Sequence, residues 1–242
     1  MHGSGIACTF LGKLDAALRK RLEPLLDPVS LRTDQVLITP DQPIEHVTFL
    51  RSGLATISCL GAGRQTSVAL VGPDSFAGQC LMLARERSIR QTQMKISGTG
   101  YRMRAAHLKL MADEEPAFKV ALLHCVDDLM QQFAEAAFAN AQLTVEARLA
   151  RLLLMVADRL DSGDLRLTHD RIALMLGCRR AGVTMSLHLL EGEHAIRATR
   201  AHIRLLDRAR LRDLAGASYH GAGREGCEPI IQAPVAAEAA QR

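Results

Sequence analysis

Short apolar runs separated by turn signals dominate the first half of the chain. Between Val29 and about Arg104 the runs are brief, as in Val36-Leu37-Ile38, and glycine, proline or aspartate interrupts them, as in Gly72-Pro73-Asp74. Closely spaced short strands of this kind predict a β-sandwich or jelly roll. Before them, apolar residues recur at helical spacing from Leu14 to Leu26, which predicts a short amphipathic helix.

The pattern becomes helical after Pro116. Neither glycine nor proline occurs again until Gly163, and alanine, leucine, glutamate and glutamine prevail, which predicts long helices. One heptad register gives the first helix an apolar stripe, which is either packed on its own domain or the seam of a homodimer. The stripe consists of Leu123, Val126, Met130, Phe133, Ala137 and Asn140. A second helix with a buried face is expected to end at Gly163-Asp164.

The segment from Leu167 to Ile196 has the pattern of a helix-turn-helix. Thr168 is a candidate N-cap, and Gly177 supplies the positive φ that a tight turn between two helices requires. The second helix is expected to start near Arg179 and to bury Val183, Leu187 and Leu190. That packing leaves five residues facing outward, namely Arg179, Arg180, Thr184, Met185 and His188. Arginines at a helix N-terminus suit guanine edges and phosphates in a major groove.

Two short β-prone runs follow, Ala195–Ala198 and His202–Leu206, and they predict a hairpin, so the module is a winged helix-turn-helix. Arg197, Arg200 and Arg204 lie on this wing, where they are expected to contact the DNA backbone. The predicted contacts to double-stranded DNA are Thr168, Arg179, Arg180, Thr184, Met185, His188, Arg197 and Arg200. The alternative is a basic helical hairpin that binds protein instead, in a chain that is a small-molecule signalling module.

Charge supports the nucleic-acid interpretation locally. The net charge of the chain is only +4, but from Arg171 to Arg212 nine arginines and no lysine stand against three acidic residues. Such a basic patch suits phosphate. No apolar run reaches the roughly 18 residues of a membrane span, and the N-terminus does not resemble a signal peptide, so a cytoplasmic protein without a membrane partner is expected.

Enzyme and metal chemistry find little support in the sequence. There is no P-loop, dinucleotide fingerprint or nucleophile elbow, so the chain is not expected to be an enzyme. The six cysteines lie tens of residues apart, without an iron-sulfur or metal-binding motif, which favours free thiols.

The order of these elements resembles the Crp/Fnr family of transcription regulators. The likeness is most specific in VEARLARLLLMVADRL and LTHDRIALMLGCRR, between Val145 and Arg180. It implies an α+β fold with an N-terminal β-roll (jelly-roll) sensor domain, a long dimerisation helix and a C-terminal winged helix-turn-helix. The corresponding segments are 1–118, 119–143 and 144–215, followed by a tail, 216–242, that is expected to be disordered. The family further implies a homodimer on a two-fold symmetric operator, with RNA polymerase as a partner.

The resemblance also bears on the effector. Cyclic-nucleotide-binding members of the family carry a Gly-Glu pair and an Arg-Ser-Ala run, whereas this chain has Gly78-Gln79 and Arg90-Gln91-Thr92. Gln79 lacks the carboxylate that holds a ribose hydroxyl, and Gln91 and Thr92 are larger than the family's residues. Cyclic AMP is therefore not expected to bind in the usual way, and the effector stays unknown.

Two features of the helix-turn-helix depart from the simple picture. Arg180 is followed by Ala181, Gly182, Val183, Thr184 and Met185, without the acid and second arginine of many family members, so a different operator is expected. Cys178 stands beside two arginines at a helix N-terminus, which would favour its thiolate and make it a redox candidate. The alternative is that Cys178 fills a small apolar gap.

Overall fold

The computed structural model describes residues 10–61, 64–216 and 219, so the predicted disordered tail lies almost entirely outside the described residues. The strands are β1 (Asp27–Leu31), β2 (Val36–Ile38), β3 (His46–Leu50), β4 (Leu54–Gly61), β5 (Arg64–Val71), β6 (Phe76–Ala77), β7 (Gln91–Ile96), β8 (Gly98–Arg104), β9 (Asp164–Leu165), β10 (Ile196–Thr199) and β11 (His202–Leu205). The helices are α1 (Ala16–Leu22), α2 (Ala105–Glu114), α3 (Pro116–Gln142), α4 (Val145–Leu160), α5 (His169–Leu176), α6 (Arg180–Gly192) and α7 (Arg208–Ala215). Over this part of the chain, no helix combines the length and apolar character that a bilayer crossing needs.

The first eight strands form the predicted β-roll. They make two four-stranded antiparallel sheets with the orders β1-β8-β3-β6 and β2-β7-β4-β5. Successive side chains of a strand point to opposite faces, and both faces are buried along most of β3 and the first five residues of β4. Val47 and Phe49 belong to one apolar cluster, and Ala55, Ile57 and Met94 to another. The expected class, α+β with an N-terminal roll and helices after it, is confirmed.

The N-terminal helix packs against one end of the roll. Asp15 caps α1 by accepting a 2.8 Å hydrogen bond from the backbone N–H of Leu18. Leu18 and Leu22 are buried on the inner face of α1. Ahead of the helix, Phe10 stacks on Phe49 with the ring centroids 5.4 Å apart. The short helix expected before the strands is therefore part of the apolar core of the roll.

The long helix α3 runs along the exposed edge of β5. It has 27 residues, which corresponds to about 40 Å at the rise of an α-helix. The side-chain amide of Gln132 accepts a hydrogen bond from the N–H of Leu70 at 3.0 Å and donates one to its carbonyl at 3.3 Å. These bonds satisfy backbone groups that an edge strand otherwise leaves open. A new helix, α4, then begins at the N-cap Thr144.

The C-terminal helices α4 to α7 pack on the roll rather than standing apart from it. Leu54 and Leu70 of the roll join the apolar core formed by α4 to α7. On α5, Arg171 donates to the carbonyl of Lys95 at 3.0 Å and lies 3.1 Å from the carboxylate of Asp34. Helix α4 ends at Leu160, where Asp161 adopts a left-handed conformation with φ of 51°, slightly before the Gly163-Asp164 stop that the sequence suggested.

Candidate nucleic-acid interface

Local chemistry sets both ends of the first helix of the helix-turn-helix. The Thr168 hydroxyl accepts a 3.3 Å hydrogen bond from the N–H of Arg171, which makes Thr168 the N-cap of α5. The helix ends at Gly177, which has a left-handed φ of 63°. A Cβ at this position would also lie 2.8 Å from the methyl group of Thr66 on β5. Glycine is thus required at the turn both for its conformation and for its close approach to the roll.

The recognition helix α6 presents the side chains that the sequence placed on its outer face. Val183, Leu187 and Leu190 are buried beneath it. On the opposite side Met185 is 64% exposed. The other outward residues are Arg179, Arg180 and His188, which are exposed, and Thr184, which is half-buried.

A hydrogen bond between the two helices orients Thr184. The Thr184 hydroxyl lies 3.0 Å from Nδ1 of His169, the first residue of α5. The sequence analysis did not single out His169. Its position directly after the N-cap was the available signal, because that position lies beside the N-terminal half of the second helix in a helix-turn-helix.

Arg180 is tethered but still available to a partner. Its guanidinium lies 3.4 Å from the carboxylate of Asp170, and both side chains are about two-thirds exposed, at 66% and 68%. An ion pair exposed to this degree contributes only about 0–1 kcal/mol. A guanine edge or a phosphate can therefore replace Asp170 at little cost.

The wing separates its arginines into two kinds. Arg197 on β10 and Arg200 in the turn are exposed. Arg204 on β11 instead donates from Nε to Asp164 of β9 at 2.7 Å, and this bond lowers the pKa of the Asp164 carboxyl. The structure thus fixes Arg204 within its own sheet and leaves Arg197 and Arg200 facing solvent.

Cys178 has a less reactive environment than its sequence neighbours suggested. Burial raises the pKa of its thiol, and Arg148 offsets this only partly. The expectation that Arg179 and Arg180 favour the thiolate is therefore wrong. Their side chains are exposed, whereas Cys178 packs against the core of the module.

The apolar stripe of α3 turns out to be two different faces. Leu123 and Met130 are exposed, at 41% and 61%, while Val126 is buried at 5%. Phe133 packs against the core of the roll. Ala137 and Asn140 are exposed with Leu123 and Met130. The assignment of Val126 and Phe133 to an open dimer seam is therefore corrected, because both pack on their own chain. Three other exposed residues complete the open face, namely Val120, Ala134 and Phe138.

The positions predicted for an effector are occupied by contacts within the protein. Gly78 takes a left-handed φ of 114°, and Gln79 is only 4% exposed, with its amide donating to the Ser75 hydroxyl at 3.3 Å. Arg90 lies over the ring of Phe133 on α3, 5.0 Å from its centroid.

Gln91 and Thr92 also have neighbours in the roll. Gln91 accepts a 3.3 Å hydrogen bond from Gln65, and Thr92 is buried on β7. The cation-π contact between Arg90 and Phe133 joins the roll to α3.

Comparison with known proteins agrees with this architecture. Residues 147–214 match the family model of the Crp-like helix-turn-helix domain. No functionally curated protein matches the sequence significantly. Among solved structures, FixK2 from Bradyrhizobium japonicum shares 20% identity at a TM-score of 0.70, covering 79% of this chain and 98% of its own. The c-di-GMP responsive global regulator CLP from Xanthomonas campestris shares 16% at 0.66, covering 79% and 99%.

A third similar structure is a transcriptional regulator of the CRP family from Thermus thermophilus, with 18% identity, a TM-score of 0.66, and coverage of 80% of this chain and 100% of its own. The chain therefore carries a DNA-binding domain of the Crp-like helix-turn-helix class. Its fold from the roll to the wing is similar to that of these three solved structures.

Proposed function

We propose that the protein is a homodimer that binds a two-fold symmetric operator, with the α6 helix of each protomer in one of two successive major grooves. The observation that carries this proposal is the outer face of α6, where Arg179, Arg180, Met185 and His188 are exposed together. In this geometry the two helices lie about 34 Å apart. RNA polymerase is the further partner through which such a regulator acts.

The interface residues divide by role. Arg180, Thr184 and Met185 lie on the first turns of α6, where side chains meet base edges. Arg197 and Arg200 extend from the wing and suit phosphate contacts, which position the protein without specifying sequence. The remaining predicted contacts are Thr168, Arg179 and His188, which border the same surface.

The open face of α3 supports the homodimer. Leu123, Met130 and Ala137 from the predicted stripe share this face with Phe138, which is 54% exposed, and Asn140, also exposed, lies at the border between this face and the side of α3 that turns to the roll. An apolar strip of this length along a helix is normally covered by a partner. A second copy of α3 packed along it would form a two-helix seam and place the two winged domains on one side of the dimer.

We assign one role to each of the three segments of the chain. Segment 1–118 acts as the sensor, 119–143 as the dimerisation helix and 144–215 as the DNA-binding domain. We propose that the sensor does not take cyclic AMP in the usual way, because Gln79 has no carboxylate and bonds to Ser75, and because Arg90 is stacked on Phe133.

Selection of bound fragments from random duplexes tests the proposal and yields the operator. On the selected site, Arg180→Ala should weaken binding by about 1–3 kcal/mol and relax the preference at one base pair. Arg51→Ala is the matched control, since Arg51 is an exposed arginine in the turn between β3 and β4 of the roll.

Salt dependence provides the second measurement. Specific duplex affinity should fall steeply as salt increases, and loss of a phosphate contact in Arg197→Ala should reduce the slope by about 1. An Arg180→Ala protein with an unchanged sequence preference, or an affinity insensitive to salt, would contradict DNA recognition through α6.

A further inference from the structure

A cavity lies where the sensor, the long helix and the DNA-binding domain meet. It has a volume of about 60 Å³ and is lined by β5, α3, α4 and α5. The polar side chains on its wall are those of Ser67, Gln132, Asn140, Arg148 and Arg151. Because one buried water needs about 10–15 Å³, the cavity has room for several waters or for one small molecule.

The wall of this cavity is positively charged. Two of its side chains are guanidinium groups, and none of the lining residues that the structure describes is acidic. Arg151 is only 9% exposed and pairs at 2.6 Å with Glu135, which does not line the cavity. Arg148 is half-buried and donates to a neutral acceptor, the carbonyl of Leu176. Glu135 thus balances the charge of Arg151. Arg148 donates to a neutral carbonyl, and the partial burial of its charge favours a counterion.

The chemistry of the wall selects the class of ligand. The planar guanidinium presents paired donors that match the two oxygens of a carboxylate or a phosphoryl group. Ser67 and Asn140 add neutral hydrogen-bonding groups, while Ala136, Leu152 and Met155 are among the residues that form the aliphatic part of the wall. We propose that this cavity is a binding site for a small oxyanion, separate from the sensor positions 78–79 and 90–92.

An oxyanion here would reach the helix-turn-helix through Arg148. The bond from Arg148 holds the carbonyl of Leu176 at the last residue of α5, directly before the Gly177 turn that sets the direction of α6. A ligand that draws the guanidinium into the cavity therefore changes the support of this turn. This regulatory consequence rests on the proposed function, whereas binding of the anion does not.

Thermal unfolding of the full chain without DNA tests the site. Chloride is replaced stepwise by acetate in one series and by inorganic phosphate in the other, at constant ionic strength, which distinguishes carboxylate from phosphoryl ligands. At an anion concentration of about ten times Kd for one site, the midpoint temperature of unfolding should rise by about 3 °C. The rise is measured against variants, because phosphate also stabilises proteins generally.

Two variants should remove the specific rise by different means. Ala136→Leu fills the cavity while keeping both arginines, and Arg148→Gln removes one charge while keeping a hydrogen-bond donor. Arg51→Gln is the matched control, since this arginine is exposed in the turn between β3 and β4, outside both proposed sites, and it should retain the full rise.

Three outcomes would overturn the proposal. These are no specific rise with either anion in the natural protein, an equal rise in Ala136→Leu, or a rise lost in Arg51→Gln, which would assign the anion to exposed arginines outside the cavity. Because Ala136→Leu leaves the arginines in place, the test stands even if Arg148→Gln fails to fold. Operator binding is measured separately, so failure of the anion site and failure of DNA recognition give different results.

Discussion

Gly177 offers the sharpest test of how the helix-turn-helix is seated on the roll. In Gly177→Ala the new residue must keep the left-handed φ of 63°, which costs about 1–2 kcal/mol. Its Cβ would lie 2.8 Å from Cγ2 and 3.2 Å from Oγ1 of Thr66, and overpacking of this kind adds about 1–3 kcal/mol. We therefore expect a loss of about 2–5 kcal/mol in the free energy of unfolding.

The two contributions can be separated with a second substitution. Thr66→Ala removes both close atoms and leaves only its Cβ, which would lie at 3.6 Å from the new Cβ. The double variant should therefore recover the overpacking part of the cost and keep the backbone part. Gly182→Ala is a matched control in the neighbouring helix, where nothing lies within 4 Å of the new Cβ, and it should stabilise α6 by about 0.5–1 kcal/mol.

Urea unfolding followed by circular dichroism measures all of these variants beside the natural protein. The structure predicts that the cost of Gly177→Ala is smaller in the Thr66→Ala background. If the two substitutions are simply additive, the turn does not touch β5, and the seating of the DNA-binding domain on the roll is refuted.

Three further predictions follow from other parts of the structure. Met130→Asp changes a side chain that is 61% exposed and should dissociate the dimer, as measured by light scattering, without changing the circular dichroism spectrum. A variant that remains dimeric would contradict the assignment of α3 to the dimer interface. Burial raises the pKa of Cys125 to about 12 from 9.0. The free energy of unfolding should therefore be unaffected by this thiol below about pH 9 and should decrease above it, because the thiol ionises at lower pH in the unfolded state. In Cys125→Ala this fall should be smaller, although Cys80 and Cys178, whose pKa values are also raised, and Tyr219, whose pKa is raised to about 12, still contribute to it; an unchanged curve would contradict the assignment. Near neutral pH an alkylating reagent should label the exposed Cys59 faster than the half-buried Cys178, whose pKa is raised, and the reverse order would restore Cys178 as a redox candidate.

Gly72 is a second position between the roll and the DNA-binding domain where only glycine fits. A Cβ on Gly72 would lie 2.9 Å from Cβ and Cδ of Arg159. The side chain of Arg159 is 7% exposed, and its Nε lies 3.6 Å from the carboxylate of Asp74. The turn Gly72-Pro73-Asp74, which the sequence marked only as a break between strands, is therefore also the place where α4 is held against the roll.

Local interactions explain why so much of the fold could be predicted. The short apolar runs and turn signals in the first half, the breaker-free helical half and the turn at Gly177 each depend on neighbouring residues. The caps at Asp15, Thr144 and Thr168 are likewise bonds to backbone groups three residues away. For the same reason the outward face of α6 followed directly from its buried residues.

What the sequence by itself determined is thus the order and type of the elements and the exposed face of the recognition helix. Only the tertiary structure decided which arginines are free and which face of α3 is open. Arg204 is paired with Asp164, 40 positions away in the chain, and Val126 and Phe133 turn to the roll. A periodic pattern shows that a residue will be buried but not what will cover it. The partner comes from a distant segment, and its position depends on how whole domains pack.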